Sequence, residues 1–186
     1  PPAAPPLGGP CPGPGHDDGR DEIIIGTVLV QNTTWLNVVK SIDTLKSAEL
    51  CSLSHLASTT PGRIAPHIRS SGCFNVKAGR LHAVARFFAP GGKQRFHQLE
   101  KWALPRLRRE MLAVHGVGNE TADSILLYAL GRPVFVIDAY TLRVGSRHGI
   151  FRADTTYAKA QELFTTCSPL DVEYYREYHA LLVWIG

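Results

Sequence analysis

The sequence predicts an all-α protein. Three observations carry that expectation. Apolar residues recur at helical spacing from Asp21 onward, no run alternates apolar and polar residues over the length of a strand, and Gly/Pro pairs cut the pattern into helix-sized pieces. The 186 residues suffice for a real core in one compact domain or two small lobes.

The elements follow in order. Residues 21–31 are apolar after an acidic start and read as a buried helix. Thr33 or Thr34 caps a second helix, in which Trp35, Val38, Val39, Ile42 and Leu45 share a face. Ser54 begins a short helix near Leu56. Pro61 suits a first helical position, and Ile64 and Ile68 share one face up to Gly72. Residues 77–88 form a helix through Leu81, Val84, Ala85 and Phe88, ended by Pro90-Gly91-Gly92. Residues 105–114 and 119–130 are two helices split by a glycine turn, and Gly131-Arg132-Pro133 breaks the second. Helices at 139–147, 154–167 and 173–185 complete the chain, while 134–137 is too short to count as a strand. Residues 1–20 hold seven of the thirteen prolines and five glycines, a composition that cannot pack a core, so a disordered tail is expected there.

The net charge of +4 is compatible with nucleic acid but weak evidence alone. No apolar run is long enough to span a bilayer, and no secretory signal opens the chain. Cys11, Cys51, Cys73 and Cys167 are too dispersed for a zinc or iron–sulfur site built from them, so reduced thiols, an intracellular (cytoplasmic, nucleoid-associated) location and no metal are expected.

The sharpest signal lies at 107–123, around His115-Gly116-Val117-Gly118-Asn119-Glu120-Thr121-Ala122. Glycines permit a tight turn and let a phosphate approach the backbone. The amides opening the second helix have no partner within it and form an anion site aided by the helix dipole. Val117 can tuck between the helices, and Thr121-Ala122 are small enough for close packing. The stretch reads as a helix-hairpin-helix grip on one DNA strand through phosphates. A plain packed turn is the alternative. His115 then serves as a spacer near phosphate, and the basic set Lys101, Arg106, Arg108 and Arg109 reads as a solvated face close enough for phosphate contact.

Asp138 follows four apolar residues and opens the next helix. It is a helix cap, a catalytic carboxylate, or both. Glu120 in a first helical turn suits the dipole or lines a pocket. Trp35 and Tyr140 read by position as core aromatics.

Taken together, these segments resemble the endonuclease III superfamily of base-excision DNA glycosylases, also called HhH-GPD. Its hairpin Gly-Val-Gly-x-x-Thr-Ala is followed by a catalytic Asp, here Asp138. Residues 26–33 resemble the family's early helix, ending in a Gln that faces the gap left by a flipped base, here Gln31. Gly72-Cys73-Phe74-Asn75 with Lys77-Ala78 resembles its Gly-aromatic-Lys-Ala segment, and Arg143 and Arg147 stand where the family keeps basic residues. Gln31-Asn32-Thr33-Thr34-Trp35 and Asp138-Ala139-Tyr140 look closest to a subgroup that includes a 3-methyladenine glycosylase.

The resemblance implies two helical lobes: a six-helix barrel over 21–133 with the hairpin, and a second lobe over 134–186. It implies double-stranded DNA with a damaged base as partner, a monomer, Trp35 and Tyr140 as candidates to stack on the flipped base, and His115, Gly116, Val117, Gly118, Asn119, Thr121, Arg143 and Arg147 as the DNA-binding set. Endonuclease III proper has a Lys two places after the last hairpin glycine, which forms a Schiff base; Glu120 cannot form one. A monofunctional glycosylase using water is therefore expected. The alternatives are a bifunctional glycosylase/lyase, with Lys77 as the nearest amine, and a DNA-binding module without catalysis. Many relatives carry a four-cysteine 4Fe–4S loop just after the helix matching residues 178–186. This chain stops where that loop would begin, so no cofactor is expected within it, and a 4Fe–4S cluster would require a following segment.

Overall fold

The computed structural model describes residues 19–90 and 93–186, and all regular structure among them is helical. The expectation for the Pro/Gly-rich tail falls on residues outside this range, except that Arg20 already belongs to the first helix.

Eleven α-helices are formed: α1 Arg20–Leu29, α2 Trp35–Ser47, α3 Leu53–Ser58, α4 Pro61–Ile64, α5 Phe74–Phe88, α6 Lys93–Glu100, α7 Leu104–Leu112, α8 Asn119–Ser124, α9 Ala139–Arg147, α10 Tyr157–Thr166 and α11 Val172–Ile185. A 3-10 segment, Ala65–Ser71, joins α4 to α5, with a kink at Ile68. Pro61 holds the expected first-turn position of α4. Ser52, not Ser54, caps α3 by accepting from the His55 amide. Thr34 is the N-cap of α2 but makes no side-chain cap bond. The helix expected at 77–88 starts earlier, at Phe74, after Cys73 takes up a left-handed conformation. Helix α6 was not expected: Phe96 and Leu99 are its only strongly apolar residues, too few to raise a periodic signal, yet both are buried.

The apolar residues fall into two clusters. The first gathers α1 to α8, with Ile24, Leu29, Leu45, Leu81, Phe88 and Leu107 at its centre. The second holds Phe135, Val136, Ile137, Val144, Ala160, Phe164, Tyr175 and Leu182. Phe135 stacks on Phe164 with centroids 4.6 Å apart and meets Tyr175 edge-on. Lys77 is not free on the surface. It is 2% exposed, and its ammonium donates to the carbonyls of Leu29 and Ser71, ends of the helical turns it ties together.

The helix entered by α8 crosses from one cluster to the other. After Ser124 it widens into a π-helical segment, Ile125–Ala129, where the Leu130 amide bonds the carbonyl five residues back, at Ile125. Ile125 and Leu126 join the first cluster and Leu127 the second. The Arg176 guanidinium from α11 donates to the carbonyls of Leu127 and Tyr128 at 3.0 Å each. Backbone acceptors in a widened turn are thus partnered rather than buried unbonded.

Gly145 in α9 is required by the second cluster. A Cβ there would lie 2.2 Å from Cζ of Phe151. Gly145→Ala is expected to displace that ring and cost about 1 kcal/mol or more, read as a lowered Tm in thermal unfolding.

Candidate active site

The hairpin is built as a tight turn between α7 and α8. Gly116 has φ +82°, a left-handed conformation that favours glycine, and Arg80 of α5 lies directly over it. Val117 is 8% exposed and packs into the first cluster, the expected tuck between helices. Gly118 is the N-cap of α8 in extended geometry, and no side chain caps the helix. A Cβ on Gly118 would meet nothing in the protein, so its bareness serves the outside of the molecule. The first intrahelical bond is from the Ala122 amide to Gly118, which leaves the first-turn amides of α8 facing outward. His115, Gly118 and Asn119 are exposed around them.

Gln31, at the end of α1, spans the turn. Its amide donates to the Gly116 carbonyl at 3.3 Å and to Thr121 Oγ1 at 2.9 Å, and its Oε1 accepts from Arg80. Thr121 is therefore 6% exposed and works inside the hairpin, not on its open surface. Arg108 also departs from the solvated face read in the sequence. It donates to both oxygens of Asp123, at 2.7 and 3.0 Å, and to Asn119 Oδ1 at 3.0 Å. Lys101, Arg106 and Arg109 remain exposed.

Asp138 ends the buried run 134–137 and is itself 8% exposed. Oδ1 accepts from the Thr141 amide at 2.7 Å, so the helix-cap reading holds. Oδ2 lies 3.4 Å from Nε2 of His179, an ion-pair distance without hydrogen-bond alignment. Burial pushes this carboxyl up, but His179 and the Thr141 amide outweigh it, and the group is held below its ordinary value. His179, on α11, meets the Tyr128 hydroxyl through Nδ1 at 2.7 Å. Burial, then the charge of Asp138, pushes that phenol up. Glu120 stands at the surface of the same place. Protein packed behind it raises its carboxyl, the Asp138 charge raises it further, and His179 opposes them. Glu120, Asp138, Tyr128 and His179 thus form one electrostatic group where the two clusters meet.

The other expected residues are distributed around it. Trp35 is half-buried against the first cluster, and a Cβ on Gly26 would come within 3.3 Å of its ring, so it serves packing. Tyr140 is 41% exposed two residues after Asp138, with the Arg143 guanidinium 5.2 Å from its ring centroid. Arg143 also donates to the Gly186 carbonyl, while Arg147 is exposed.

Sequence reading missed His179, Tyr128, Arg80 and Asp123. For His179 a signal existed: it falls on the face of α11 shared by Tyr175 and Leu182, and a polar residue at a core-facing position asks for a partner. Arg80 and Tyr128 gave no such mark.

Among the described residues no group of three or more His, Cys, Asp or Glu could hold a metal ion, and Cys51, Cys73 and Cys167 stand apart. They do not fit an iron–sulfur cluster. No helix among these residues is long and apolar enough to cross a membrane.

A family model for the HhH-GPD superfamily base excision DNA repair protein matches residues 25–169. A protein of Methanocaldococcus jannaschii assigned as a DNA repair glycosylase is 42% identical over 166 residues, which cover 88% of this chain and 75% of that one. The endonuclease III of Thermotoga maritima is 27% identical over 135 residues, 72% of this chain, and only 58% of that relative is spanned. The structure of the H. pylori 3-methyladenine DNA glycosylase bound to 1,N6-ethenoadenine matches with a TM-score of 0.72 at 28% identity, covering 87% of this chain and 82% of that one. The chain belongs to the HhH-GPD superfamily of base excision DNA repair proteins, and its all-α architecture is endonuclease III-like.

Proposed function

We propose that this chain is a monofunctional DNA glycosylase that hydrolyses the N-glycosidic bond of a flipped, alkylated base. One observation carries the reading: a buried carboxylate, Asp138, kept ionised by Thr141 and His179, stands beside Glu120 on the first turn of the hairpin's second helix. The outward amides of that turn bind a phosphate of double-stranded DNA, aided by His115 and Asn119, without reading bases. The C1′–N bond breaks and its electron pair leaves with the base. Positive charge builds on the sugar, and the Asp138 carboxylate stabilises it through space. Water adds to C1′ from solvent, and its proton passes to Asp138 or onward to solvent. A cationic base needs no strong acid to depart. The 1,N6-ethenoadenine bound by the H. pylori relative supports an alkylated or etheno-purine as the first substrate to try. Tyr140, exposed near Asp138, is the stacking partner we favour.

Two features support water rather than an amine as the nucleophile. Glu120 occupies the position of the family's lysine, and the Lys77 ammonium is buried against two carbonyls. The test is a panel of duplexes bearing 3-methyladenine, ethenoadenine, oxidised pyrimidine and mismatched thymine. Base release with an intact abasic strand is expected for at least one lesion. Borohydride should trap no covalent adduct on abasic DNA. A trapped adduct would overturn the water mechanism, and no release from any duplex would leave a binding module in place of an enzyme.

A further inference from the structure

We propose that Asp123 is a positioning residue that joins the hairpin to the backbone carrying Asp138, an inference that rests on the glycosylase reading above. Asp123 is 0% exposed and accepts hydrogen bonds from three side chains on two other helices. From α7, Arg108 reaches both of its oxygens. From α10, the Tyr157 hydroxyl donates at 2.7 Å and the Gln161 amide at 2.8 Å. A buried carboxylate is costly unless its lone pairs are filled, and here they are.

A buried ion pair alone would need only Arg108. What points further is where the two α10 side chains go next. Gln161 uses its amide a second time, donating to the Phe135 carbonyl at 2.7 Å. The Tyr157 hydroxyl, having given its proton to Asp123, accepts from the Ile137 amide at 3.4 Å. Phe135 and Ile137 belong to the extended run that delivers Asp138, and Ile137 is its neighbour in the chain. Because that run is not in a sheet or helix, its backbone groups depend on such side-chain partners. Arg108 meanwhile holds Asn119 Oδ1 at the mouth of the hairpin. A single carboxylate therefore sets the distance between the strand grip and the reacting group.

Two variants test this in the full chain. Asp123→Asn turns one acceptor into a donor, which opposes Arg108 Nε if it takes the place of Oδ1, or the Tyr157 and Gln161 donors together if it takes the place of Oδ2. Tyr157→Phe removes one hydroxyl and keeps the packing, and so guards against failure of the first to fold. In both, amide hydrogen exchange is expected to quicken at residues 137–141 while that of α7 and α8 stays protected. Single-turnover base release should fall about 10- to 100-fold, the scale of a small misplacement, with duplex affinity held within about twofold. Restoring the carboxylate one methylene further out, in Asp123→Glu, should recover part of the rate. Unchanged exchange at 137–141 in both variants, or loss of duplex affinity with an unchanged rate, would overturn the proposal. Quickened exchange in a protein that releases no base even as wild type would instead keep the positioning role and reject the glycosylase.

Discussion

Asp138→Asn should lower single-turnover base release by about 10²- to 10⁴-fold, the span covered by loss of a catalytic base or of one electrostatic stabiliser. The amide keeps the size of the side chain and can still accept from the Thr141 amide, so the cap and the fold are retained. Affinity for the lesion duplex should change little, because the proposed phosphate grip lies in the hairpin. Equal rates in the variant and wild type would remove Asp138 from the chemistry. The pH profile gives a second check. Because His179 and Thr141 hold the carboxyl below its ordinary value against the effect of burial, release should persist until the pH drops beneath the usual carboxylate range. In His179→Gln, burial acts with less opposition, and the acid limb should move to higher pH. The same depression makes ionised Asp138 stabilising at neutral pH, a contribution lost as pH falls through its folded value.

Gly116→Ala should abolish most of the affinity for duplex DNA of any sequence. Two costs combine. An L-residue at φ +82° costs roughly 1–2 kcal/mol. The new Cβ would also lie 2.2 Å from Cγ and 2.7 Å from Cδ of Arg80, mid-chain atoms of a side chain bound to Gln31. Relief requires Arg80 to move, which frees Gln31 and loosens the turn that it spans between Gly116 and Thr121. The measurement is a titration of lesion-bearing and undamaged duplexes at fixed salt, since phosphate binding depends steeply on salt. Both should weaken alike. A changed choice of lesion with undiminished affinity would contradict the assignment of this loop to the sugar–phosphate chain. Adding Arg80→Ala should relieve the overlap without restoring the hold on Gln31 or removing the cost of φ, so full affinity should not return.

The features read well from the sequence were those written in local pattern. Helical spacing, the Gly-x-Gly turn and the Asp after a buried run each express a rule acting over a few residues, and Val117 and Asp138 fall where that rule puts them. Helix α6 escaped because Phe96 and Leu99 make half a face, which only the rest of the first cluster completes. The site escaped in the same way wherever its members meet across long separations. Tyr128 and His179 are neighbours through a bond between α11 and the end of the π-helical segment, and no spacing announces it. Arg108 illustrates the converse. Its charge pattern matched an exposed face, yet a carboxylate on the next helix draws its head inward. Local chemistry names the residue types, while the partner that decides their role is fixed by packing.

The wide turn at Ile125–Ala129 has a geometric corollary. A regular helix advances about 100° per residue, so one additional residue within a single turn acts as a phase offset between everything upstream and everything downstream. Within it Ile125 and Leu126 meet the first cluster and Leu127 the second. Losing one residue there could leave each half of the molecule well packed and still swing the carboxylate off target. On the proposed function, chain length through that turn, more than the identity of any side chain in it, would keep the hairpin and Asp138 in step.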